Sequence, residues 1–182
     1  MKKFLKTFLY LIKRNKLELY LSAGIFFGSM LIGFLILKLY PSIYNNDFTD
    51  TYIKGSDTFS IIKNNLIISL SLIAGNLFLG LTTIIRLFYN GLLSGMMLEI
   101  HSNNFSIYTI LAKTLFHGIF ELPGVVICGG IGLKTLIICI KTINRKKIEF
   151  KVHIIDSLVL FVFSVILIII AGVIEGNIIT LL

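Results

Sequence analysis

The chain has 182 residues, of which 56% are hydrophobic and 14% charged, with a mean hydropathy of +0.94. A soluble domain carries about 25% charged residues, so this sequence has too little polar material to cover a water-facing surface, and two cysteines exclude a disulfide scaffold. It reads as a membrane protein whose net charge of +8 needs its own explanation.

Residues 1–18 form a basic segment. Phe4, Phe8 and Ile12, with Leu5 and Leu9, recur at helical spacing opposite Lys2, Lys6 and Lys13, the pattern of an interfacial helix. The same lysines would serve equally well simply to orient the first span. Residues 19–37 carry no charge between Glu18 and Lys38 and cover roughly 28 Å, close to the hydrocarbon thickness. The run is longer than a signal-peptide core and has no A-x-A-like site before Lys38, so a retained anchor is expected. The loop Pro41–Ser60 mixes small polar residues with aromatics, a candidate for partner contact without a catalytic set.

Further membrane segments are expected at 66–85, ended by Arg86, and at 87–100, 123–140 and 155–174. Between Leu87 and Ile140 the apolar stretches are interrupted by Asn90-Gly91, Glu99, His101, Lys113, His117, Glu121, Pro123 and Lys134. This predicts broken or re-entrant helices, with 107–122 a partly inserted, polar-striped helix ended by Pro123. Eleven of the seventeen Lys and Arg residues lie before the first span or between Ile140 and the last, which places both segments in the cytoplasm. The expected fold class is all-α: one polytopic α-helical membrane domain over 1–182, about five spans, amino terminus cytoplasmic and carboxyl terminus outside.

Lys113, His117 and Glu121 fall at i, i+4 and i+8, one polar stripe on an apolar helix, and must face the protein interior or a polar cavity. With Glu175, which either snorkels or pairs, His117 and Glu121 are the candidate catalytic residues: His117 as base or ligand, Glu121 as acid–base group, Glu175 as a further carboxylate. The alternative is a structural hydrogen-bonded cluster. No H-E-x-x-H motif is present, and neither a metal nor another cofactor is assigned. Gly24/Gly28, Gly91/Gly95 and Gly172/Gly176 have the spacing that lets helix backbones approach. Cys128 and Cys139 are too far apart along one helix to bridge and read as buried thiols. There is no P-loop and no nucleic-acid motif; the boundary cations suit anionic lipid or a cytoplasmic partner.

Asn90-Gly91-x-x-x-Gly95, then His117-Gly118-x-x-Glu121-Leu122-Pro123 with its glycine-rich continuation, then a late span ending in Glu175, resemble the stage II sporulation protein M (DUF95) superfamily across Leu66 to Asn177. The H-G-x-x-E-L-P form resembles members that accompany circular bacteriocin clusters. Asn90, Gly91, Gly95, Gly118 and Pro123 are its structural motif positions here. The resemblance implies a bacterial multi-pass cell-membrane protein in a biogenesis, secretion or self-immunity complex for a hydrophobic cationic peptide. An ABC-type ATPase, other membrane subunits and a second copy of the chain are the implied partners. Lys141, Arg145, Lys146, Lys147 and Lys151 form the candidate docking segment. Two alternatives remain at this stage: an intramembrane enzyme for leader cleavage or cyclisation, and a subunit of the sporulation engulfment complex.

Overall fold

The computed structural model describes residues 2–43, 58–104, 116–145 and 148–181. These form seven α-helices: α1 (Lys2–Arg14), α2 (Lys16–Leu39), α3 (Thr58–Ala74), α4 (Leu81–Asn104), α5 (Phe116–Gly132), α6 (Lys134–Ile143) and α7 (Phe150–Leu181). α2, α3 with its 3-10 extension Gly75–Phe78, α4 and α7 are long and apolar enough to cross a bilayer. The pair α5–α6, bent by 42°, supplies a fifth crossing when counted as one broken span. The architecture is therefore all-helical, with four to five candidate spans, as the sequence suggests.

Contacts between helices fix their directions. Gly91 of α4 packs on Phe26 and Ser29 of α2, and Gly95 on Met30 and Phe34, so α2 and α4 run parallel. Gly124 meets Ser164 and Ile168 of α7, and Cys128 meets Ser164, so α5 and α7 run antiparallel. Gly172 of α7 lies against Ile62 near the start of α3, which reverses α3 in turn. Successive segments thus alternate in direction, and the start of α2, the α3–α4 turn, the α5–α6 bend and the start of α7 gather at one end. This is the basic end of the bundle.

Large apolar side chains such as Leu31, Ile67, Ile85, Val162 and Ile166 face outward, where acyl chains take the place of water, while Ser22, Ser29, Ser69, Thr83 and Ser164 are buried between helices. One buried apolar cluster joins Phe26, Leu72, Leu87, Val125, Cys128, Leu133 and Ile168; another joins Leu11 of α1 to Leu19, Ile127, Ile131 and Leu160. In α1 the apolar face is thus turned at Leu11 onto the bundle, and the Phe8 ring packs on Phe163 of α7 with centroids 4.5 Å apart.

Three boundaries differ from the sequence reading. The apolar run 66–85 is divided by a turn: Leu79 and Gly80 take left-handed φ values of 52° and 80°, and the Gly80 N–H donates to Gly75 O at 2.8 Å. The Thr83 hydroxyl donates to Leu72 O at 2.8 Å, capping α3. These internal partners let the chain reverse without a charged or hydrated loop, and the segment expected at 87–100 is part of the longer α4. Pro123 lies inside α5 on an exposed face and does not end it. The break comes at Leu133, where Asn76 Oδ1 accepts the Thr135 N–H at 3.0 Å and the Thr135 hydroxyl at 2.8 Å, intercepting the helical ladder. The expected helix 107–122 is described only from Phe116, and the candidate contact loop 41–60 lies mostly outside the described residues.

Candidate functional site

A network of buried polar and charged side chains drawn from α1, α2, α6 and α7 ties the basic end of the described bundle together. Asp156, one turn and a half into α7, is fully buried. Its Oδ2 accepts from Arg14 Nε at 2.6 Å and from Asn15 Nδ2 at 3.0 Å, and its Oδ1 pairs with Arg14 Nη2. Asn15 stands at the joint between α1 and α2; its Nδ2 also donates to Leu11 O at 2.9 Å. The Arg14 guanidinium in turn lies over the Tyr10 ring, 5.0 Å from its centroid. Both oxygens of Asp156 are thereby satisfied, the condition under which a buried carboxylate is tolerated in an apolar bundle.

Glu18 is treated differently. It is 1% exposed, its Oε1 lies 3.5 Å from Lys141 Nζ, and its Oε2 has no hydrogen-bond partner among the described residues. One turn further along the same face of α2 the Ser22 hydroxyl is also buried and unpartnered. Lys134, at the start of α6 and 3% exposed, donates to His153 O at 3.1 Å and to the Ser157 hydroxyl at 3.0 Å, fastening α6 to α7 through neutral oxygens. Chemically the network is two buried carboxylates and three cations: one carboxylate saturated by a bidentate guanidinium, the other loosely held by a flexible ammonium.

The sequence-derived candidates lie elsewhere. The register of Cys128 with Ser164 and of Gly124 with Ile168 puts position 117 level with Glu175, and Glu121 about one turn closer to the middle of the bundle. All three positions are therefore at the opposite end from the basic network. Glu121 and Glu175 are half-buried, and neither is free of interactions within the chain. Lys113 and the side chain of His117 lie outside the described residues, as do Lys146 and Lys147. Arg145, at φ 54° just beyond α6, and Lys151, in the first turn of α7, are exposed; Lys141 is turned inward to Glu18. Among the described residues no group of three or more His, Cys, Asp or Glu side chains is arranged to hold a metal.

Of the motif positions, Asn90 Nδ2 donates to Arg86 O at 2.7 Å within α4. Gly91 and Gly95 are contact points: a Cβ on Gly91 would strike Ser29 Oγ and Phe26 O, and one on Gly95 would strike Met30 O. Gly33 makes the same kind of approach to Leu92 O from the α2 side. Among the described residues, Gly118 would meet only Leu122, at 3.8 Å, and Gly24 and Gly28 meet nothing within 4 Å, so the Gly24/Gly28 spacing makes no close helix approach there. Cys128 and Cys139 are free thiols, the first buried and the second half-buried.

Residues 22–179 match the family described as stage II sporulation protein M. The chain belongs to this family. It is also 31% identical over 167 residues to the uncharacterized protein MJ0793 of the archaeon Methanocaldococcus jannaschii, covering 88% of this chain and 92% of that one. No solved structure matches. The family match begins at Ser22 and so leaves out α1, Asn15 and Glu18, half of the basic-end network, while it contains Lys134, Lys141 and Asp156.

Proposed function

We propose that the chain is a non-catalytic membrane subunit of a complex for the biogenesis, secretion or immunity of a hydrophobic cationic peptide of circular-bacteriocin type. The basic end faces the cytoplasm and receives an ABC-type ATPase. The observation that supports this reading is the arrangement of that end: Arg14–Asp156 and Lys134–Ser157 tie α1 and α6 to α7, and exposed Lys13, Lys16, Arg145 and Lys151 project from the fastened helices. Exposed cations grouped around a bundle mouth suit an acidic protein surface better than a substrate cleft. Anionic headgroups of the inner leaflet would occupy the flanks of the same surface.

The test is capture of the tagged full chain from its native membranes after mild cross-linking. An ATP-hydrolysing subunit is expected in the product and is lost in the double variant Arg145→Glu/Lys151→Glu, which still inserts. Recovery of a solitary protein would refute the reading. A catalytic role would replace it if Glu121→Ala abolished peptide processing while the same partner remained bound.

A further inference from the structure

We propose that α6 is a hinged lever latched onto α2 by Lys141 and Glu18, and that occupation of the basic end acts by opening this latch. The second half rests on the docking reading above; the first stands on the geometry of the chain alone. α6 joins α5 through a 42° bend, and at that bend the helical ladder is interrupted by Asn76, so the two helices are not one rod. Lys134 and Lys141 are seven residues apart, hence on the same face of α6. The first fastens the hinge end to His153 O and Ser157, and the second reaches Glu18 from the far end.

The two fastenings differ in quality. At 3.5 Å the Lys141–Glu18 contact is longer than a charge-assisted hydrogen bond of about 2.7–2.9 Å, and the buried Glu18 Oε2 has no hydrogen-bond partner among the described residues. A fully committed closed state would satisfy this carboxylate, as Asp156 is satisfied. An incompletely paired buried carboxylate facing a movable ammonium is the feature of an element with a second accessible position. The chain leaves α6 directly into exposed Arg145, so a partner gripping the inner segment pulls on the latched end and not on the hinge.

The native cysteines report the motion. Cys139 lies on α6 and is half-buried, while Cys128 is fully buried in the α5 core. The full chain in inside-out native membrane vesicles is treated with a membrane-impermeant maleimide and the labelled thiols are mapped by mass spectrometry. Lys141→Met and Glu18→Gln are each expected to raise the Cys139 labelling rate by about two- to fivefold, as the loss of one partly exposed ion pair from an opening equilibrium implies. Lys141→Arg keeps the native rate, and Cys128 stays unlabelled throughout. Unchanged Cys139 labelling in both neutralising variants would overturn the proposal. So would Cys128 labelling that rises in step with Cys139, because the bundle, and not α6, would then be opening. The latch is read from Cys139 labelling and the docking partner from capture, so failure of one reading is distinguishable from failure of the other.

Discussion

Arg14 offers Asp156 a planar fork of donors, and the carboxylate uses both oxygens while Asn15 adds a further contact. Removing the fork leaves a fully buried negative charge with a single amide donor. Arg14→Gln is therefore expected to cost about 3 kcal/mol of stability, and Arg14→Lys less, since an ammonium keeps the charge but not the bidentate geometry. Equilibrium unfolding of the purified chain in mixed detergent micelles measures both. A Lys variant as stable as the parent would show that the fork geometry contributes nothing, and a smaller loss for Gln than for Lys would contradict the charge pairing itself. In the sequence, Glu18 reads as the edge of the first span and Asp156 as a blemish near the start of the last. Nothing local pairs Arg14 with a residue 142 positions away. The legible signal was their sign: lone acids at the basic end of apolar helices are surrounded by cations and have reason to be paired.

The helix pair α2–α4 illustrates how small residues act at the level of elements. A methyl group on Gly91 or Gly95 would run into backbone oxygens of α2, which cannot move without shifting the helix, whereas Gly24 and Gly28 have no close neighbour among the described residues. Gly91→Ala and Gly95→Ala are expected to destabilise by about 1–3 kcal/mol, and Gly24→Ala and Gly28→Ala to stay within about 0.5 kcal/mol of the parent, measured by the same unfolding equilibrium. The spacing alone does not separate the two pairs, because G-x-x-x-G marks a face without saying what covers it. At the α5–α6 bend, Asn76→Ala removes the acceptor held by Thr135 and is expected to cost about 1 kcal/mol and straighten the joint. Asn76→Asp, which keeps an acceptor oxygen, should preserve the angle; spin-label distances between α5 and α6 report it. The existence of the helices was legible from hydropathy, but the boundaries at the α3–α4 turn and at Pro123 were not. The α3–α4 turn is itself apolar, with exposed Leu77, Phe78 and Leu79, so the run 66–85 looks uninterrupted although Gly75-Asn76 and Gly80 mark the reversal. Pro123 looks like a break, yet a bundle helix tolerates a proline on its outer face.

At the scale of the whole molecule, the alternation of helix directions makes the number of crossings testable without knowing any partner. α2, α4 and α7 point away from the basic end and α3 and the α5–α6 pair point toward it. If the bent pair crosses as one broken span, the termini lie on opposite sides; if it is re-entrant, the segment after α6 moves to the other face together with the basic residues that follow it. The grouping of cations at the basic end favours the first. Lys13, Lys16, Arg145 and Lys151 all stand at the end where α2 begins, and the ion pairs Arg14–Asp156 and Lys141–Glu18 bind the start of α2 to α6 and α7. A re-entrant pair would have to separate those partners across the bilayer. Cysteines added one at a time at Lys38 and Arg145, in a Cys139→Ser background that keeps only the buried Cys128, are therefore expected to label from opposite sides: Lys38→Cys in intact cells, Arg145→Cys only in inside-out vesicles. A tag after Leu182 should be protease-accessible from the same side as Lys38→Cys. Labelling of Lys38→Cys and Arg145→Cys from one side would contradict five crossings, and with them the docking surface and the lever, since both require α6 and the start of α2 to meet at the cytoplasmic face.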